Sequence, residues 1–110
     1  MIDDPLEVER LLARMKANLP LAAQATPAVV AALRQQTPAV EVSRKALIDM
    51  VDYAGDEGGI VCRLHFDGAD NDRAFYVSIT HLTIARGQPL WREIESYRKH
   101  RIKRLRRLAG

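Results

Sequence analysis

Two segments of this chain alternate apolar and polar residues in matching phase, and this restricts the fold more than any other feature. Ile60-Val61-Cys62-Arg63-Leu64-His65-Phe66 and Phe75-Tyr76-Val77-Ser78-Ile79-Thr80 each read as a half-buried strand, because successive side chains of a strand point to opposite faces. Between them lies Asp67-Gly68-Ala69-Asp70-Asn71-Asp72, which is turn chemistry throughout. An antiparallel hairpin is expected. Pairing Phe66 with Phe75 sets Leu64 opposite Val77 and Cys62 opposite Ile79 on a core face. The other face then holds Arg63, His65, Tyr76, Ser78 and Thr80, and both strands agree on which side is core.

A hairpin alone is marginal in water, so more structure must cover it. Residues 43–54 offer two readings. Leu47, Met50, Val51 and Ala54 suit a helix capped by Ser43 and ended by Gly55, whereas a strand joined to Ile60 through the glycine-rich residues 54–59 suits a meander. The strand is preferred because a third strand stabilises the hairpin. It carries a cost, since one phase buries Asp49 with Leu47, Val51 and Tyr53 and the other buries Asp52 with Ile48 and Met50.

Helices are expected at both ends. Asp4-Pro5-Leu6-Glu7 combines an Asp cap, proline in the first turn and an acid three residues after the cap. Val8, Leu11, Leu12, Met15 and Leu19 then form one apolar stripe. Thr26-Pro27 repeats the cap-then-proline signal before a short helix over 28–36 with Val29, Val30 and Leu33 inward, so the alanine-rich region 19–38 reads as helices and an irregular connection. After Pro89 a long helix runs to about Leu108, with Leu90, Trp91, Ile94, Tyr97, Ile102, Leu105 and Leu108 on its apolar side. The expected architecture is one α+β domain: a helical part over 1–38, a small antiparallel sheet of two or three strands over 43–84, and a basic C-terminal helix over 89–108. At 110 residues and 47% hydrophobic, the chain is long enough for one core.

Charge is uneven. Residues 92–107 hold eight basic and two acidic side chains, a local net of +6, and the remainder carries a net of −3. Such a basic end implies contact with nucleic acid, an anionic membrane or an acidic protein. The expected contact residues are Arg98, Lys99, Arg101, Lys103, Arg104, Arg106 and Arg107 on the helix, joined by Arg63, His65 and Tyr76 on the outer sheet face, where one ring beside donors suits a single-stranded base. The plainer account is a solvated helix whose cations complement the helix dipole.

Other chemistry finds little support. A lone Cys62 excludes an internal disulfide. Asp67, Asp70 and Asp72 lack the spacing of a calcium loop. Cys62, His65, His81 and His100 do not assemble as a zinc set, because Cys62 and His65 fall on opposite faces of one strand. A Cys62–His81 couple on the core side has no orienting group or oxyanion hole to complete it. No cofactor or metal is expected, and no apolar run approaches the roughly 20 residues of a membrane span. The beginning, Met1-Ile2-Asp3-Asp4-Pro5, is acidic where a secretory signal is basic, so a cytoplasmic, non-catalytic binding module is expected. Its partner is nucleic acid or an acidic protein. The alternative is a self-associating interaction module, because a small sheet leaves edges that a second copy covers.

Overall fold

Helix α1 (Pro5–Ala17) starts where its cap places it: the Asp4 carboxylate accepts the backbone N–H of Leu6 at 3.0 Å. Val8, Leu11 and Met15 are buried, and Glu9, Arg10 and Lys16 face solvent. The computed structural model describes residues 3–36, 45–66 and 75–109. The expected hairpin loop, with Asp67, Asp70 and Asp72, lies outside the described residues.

The sheet is larger than the sequence suggests. Five antiparallel strands, β1 (Leu21–Ala25), β2 (Lys45–Tyr53), β3 (Ile60–His65), β4 (Phe75–Ser78) and β5 (Leu82–Thr83), stand in the order β4-β3-β2-β1-β5. This replaces the two- or three-stranded sheet. The unexpected member is β1, whose alanines favour helix by propensity. Its burial nevertheless alternates, with Leu21, Ala23 and Ala25 inside and Gln24 outside. Pairing with β2, Leu21 to Ile48 and Ala23 to Ala46, overrides the local preference. Helix α2 (Pro27–Gln36) follows at once, with the Val29 N–H reaching the Thr26 hydroxyl at 3.4 Å and Val30 and Leu33 buried.

β2 resolves the aspartate conflict by a bulge. Ile48 pairs with Leu64 and Met50 with Arg63, so Asp49 is an extra residue in the ladder. The slip sends Ala46, Ile48 and Val51 inward and leaves both Asp49 and Asp52 exposed. Neither carboxylate is buried, and Asp49 bonds Arg63 at 2.7 Å.

The β3–β4 register also differs from expectation. Leu64 pairs with Phe75 and Cys62 with Val77, two residues along from a Phe66–Phe75 pairing. An even shift keeps every side chain on its face, so Cys62, Leu64, Phe66, Phe75 and Val77 are buried as the alternation requires. The Phe66 and Phe75 rings still meet edge to face at 5.6 Å. The strand ends early, at Ser78, and residues 79–81 form a 3₁₀ turn with its Thr80 N–H on the Ser78 hydroxyl.

That turn forces the sheet to curl. β4 and β5 occupy opposite edges, which in a flat five-stranded sheet stand about 19 Å apart, four spacings of ~4.8 Å. The 3₁₀ turn joining Ser78 to Leu82 bridges only about 8 Å. The sheet is therefore a half-barrel. Its inner residues and the buried faces of α1, α2 and α3 (Trp91–Ala109) form one core. Helix α3 begins two residues after Pro89, behind Leu90, which adopts a left-handed φ of 66°. No described helix is long and apolar enough to cross a membrane.

Candidate nucleic-acid interface

Helix α3 sorts its basic residues into two populations. At 3.6 residues per turn, Ile94, Tyr97 and Arg101 lie on one side, and all three are buried, Arg101 to 1% exposure. Its guanidinium donates to Asp3 Oδ2 at 2.9 Å and to the Asp56 carbonyl at 2.6 Å. Arg98 is half-buried. It donates to the Ile79 and Thr80 carbonyls at 3.0 and 3.2 Å and to Glu95 at 2.6 Å. Charge alone groups both arginines with the surface cations, and both instead fasten α3 to the body. Arg104 is half-buried and engaged within the molecule.

Lys99, Lys103, Arg106 and Arg107 form the second population. All four are exposed and fall within an arc of about 100° over some 12 Å of helix, opposite the buried side. Among the described residues, no carboxylate pairs with any of them. The helix dipole accounts for cations in the last turn only, so it leaves Lys99 and Lys103 unexplained. Beyond Arg101 no side chain of α3 is buried through Leu108, and Leu108 itself is 73% exposed. The side of the helix end that carries Lys99, Lys103, Arg106 and Arg107 faces solvent.

Asp3 is the residue that the sequence hid. It is 3% exposed, and its Oδ2 also accepts the hydroxyls of Tyr97 and Tyr53 at 2.9 and 3.1 Å. The Tyr97 oxygen in turn accepts the Ile60 N–H at 3.1 Å. Burial first, then the demand of Asp3 for a donor, pushes the Tyr97 phenol above its ordinary range and keeps it protonated. Gly59 completes the cluster. Its φ is +65°, and a Cβ there would stand 2.6 Å from the Tyr97 oxygen and 2.7 Å from Arg101 Nε.

The sheet-face residues point away from the helices. Tyr76, 58% exposed, is the register partner of Arg63, whose guanidinium is held by Asp49. His65 follows Arg63 by two residues on β3, opposite Leu47. It borders a groove of about 360 Å³ with Ala22, Gln24, Lys45 and Ala85. Arg63, His65 and Tyr76 thus share a surface, but not the one that carries the α3 stripe. The Cys62–His81 couple does not form: Cys62 is buried on the core face, and His81 is exposed on the 3₁₀ turn instead of lying opposite Ile60. Burial pushes the Cys62 thiol up to about 12, which makes it an inert core residue. Among the described residues no three His, Cys, Asp or Glu side chains gather as a metal site. Comparison with protein-family models, curated proteins and solved structures returns no significant match.

Proposed function

We propose that the protein is a non-catalytic module that binds nucleic acid through the exposed basic stripe of α3. The observation that carries this reading is the stripe of Lys99, Lys103, Arg106 and Arg107, exposed together and without carboxylate partners among the described residues. Phosphates neutralised by such a stripe release their counterions, which supplies affinity independent of sequence. Surface cations with no protein partner keep their full charge for this exchange.

The reading is tested by titrating labelled oligonucleotides across a range of salt. Four phosphate contacts give a slope of log K against log salt of about −3.6 on duplex and about −2.8 on single strands. Reversing Lys103 and Arg107 to Glu is expected to remove binding while leaving the thermal unfolding curve in place, since both are exposed. No binding at low salt overturns the reading.

A second reading has its own observation. Leu47 and Met50 are exposed at 41% and 42% on the outer sheet face that also carries Tyr76, and a second copy laid on that face makes the protein a self-associating interaction module. Mass measured by light scattering beside the titration distinguishes the two: a stable dimer without oligonucleotide affinity favours this second reading.

A further inference from the structure

The cation stripe leads into a cleft. Ile102 and Arg106 border both the basic surface and a cavity of about 480 Å³ between α3 and the two 3₁₀ turns, residues 55–57 and 79–81. Its other walls include Glu57, Thr80, His81 and Leu105. An apolar wall with a few converging polar groups, at this volume, has the character of a ligand site.

The hydrogen bonds beside the cleft fix its polarity. Ser78 has one hydroxyl proton and gives it to the Gly58 carbonyl at 2.8 Å, an atom that cannot donate in return. The 3.0 Å contact between Ser78 Oγ and Thr80 Oγ1 must therefore have Thr80 as its donor. Thr80 then has no hydroxyl proton left and offers only oxygen lone pairs to a ligand. Glu57, exposed on the facing turn, is likewise an acceptor. A complementary ligand brings N–H groups to Glu57 and Thr80, an apolar face to Ile102 and Leu105, and negative charge to Arg106.

We infer that this cleft holds one unpaired base of a single strand whose phosphates run along α3, and that it prefers bases bearing an exocyclic amine. Cytosine presents an amino donor where thymine presents a carbonyl oxygen, and that oxygen would face the lone pairs of Thr80 and Glu57. A base in a duplex has its pairing edge occupied, so the cleft selects single strands. This inference rests on the nucleic-acid reading and adds to it a base pocket and a preference.

The experiment compares oligo-dC with oligo-dT of equal length at low salt and neutral pH, for the wild-type protein and for Glu57→Gln and Thr80→Val. The wild type is expected to bind oligo-dC about tenfold tighter, in line with one well-placed base contact. Glu57→Gln supplies a donor and is expected to bring the ratio close to one or reverse it. Overall affinity rises in that variant because a negative charge is lost, so the ratio is the readout. Thr80→Val is expected to lower the ratio independently. Equal affinity of the wild type for both oligonucleotides, or a ratio that neither substitution moves, overturns the pocket and leaves the α3 reading standing. Failure to bind either strand, or binding to phosphatidylserine vesicles alone, overturns both.

Discussion

Asp3 and Arg101, separated by 98 positions in the chain, form an ion pair of 2.9 Å in the interior. The same carboxylate oxygen receives two tyrosine hydroxyls, so one acidic side chain joins α1's approach, the end of β2 and the middle of α3. Removing one partner strands the other charge without solvent. Asp3→Ala is expected to cost about 3–5 kcal/mol, a large share of the roughly 5–15 kcal/mol that holds a typical domain. Urea denaturation measures it. Replacing both partners with apolar residues, Asp3→Leu with Arg101→Met, is expected to recover much of that loss, because no lone charge remains.

Neighbouring cations on α3 are expected to respond in opposite ways. Arg98→Ala removes bonds to two carbonyls of the 79–81 turn, costs an unfolding free energy typical of charged hydrogen bonds, about 1.5–3 kcal/mol, and so lowers the midpoint of thermal unfolding. Lys99→Ala leaves that midpoint in place and reduces the salt slope of oligonucleotide binding by about one contact. A shared loss of stability in both variants would contradict the division of α3 into fastening and surface residues.

The bulge at Asp49 separates the role of a side chain from that of a backbone position. Asp49→Ala removes an exposed ion pair with Arg63 and is expected to cost less than about 1 kcal/mol. Deleting Asp49 removes the extra residue itself, so that Met50 follows Ile48 in plain alternation and Val51 stays inward with Asp52 outward. The deletion variant is therefore expected to fold cooperatively, with the bulge gone and the same core, which circular dichroism and a denaturation curve establish.

Alkaline pH tests the buried thiol. Cys62 ionises near 9.0 when free and at about 12 inside the protein. Between these values the unfolded chain has released a proton that the native chain retains, so stability falls as pH rises from about 9 towards 12 and is unaffected below. Tyr97, also raised, adds to the decline above about pH 10. Cys62→Ala is expected to flatten the first part of this fall, and a thiol reagent at pH 8 is expected to label the wild type only after denaturation.

Much of this arrangement is legible in the residues, and the failures have physical causes. The α1 cap, the inward faces of β3 and β4, and the strand in 45–53 follow from local chemistry and period. Aspartates facing the core in either phase of β2 were themselves the sign of an inserted residue, since only a bulge turns both outward. β1 was hidden because alanine carries a helical preference and a small side chain, and only its partner strand reveals that Leu21, Ala23 and Ala25 share a side. Counting charge alone puts Arg101 on the surface. It stands four residues after Tyr97 and seven after Ile94, squarely on the apolar stripe, and that spacing is the signal that it turns inward. Asp3 and Thr80 carry no such sign, because the role of each depends on partners brought close only by the fold.

The short turn between Ser78 and Leu82 also orders events in time. β2, β3 and β4 find neighbours close in the chain, whereas Thr83 must reach Gln24 across 59 positions, and that closure is entropically slow. The β2–β3–β4 meander is thus expected to form first and the β1–β5 ladder last. With only two paired positions, the seam where Gln24 meets Thr83 is expected to exchange its amide protons before the β2–β3 ladder does.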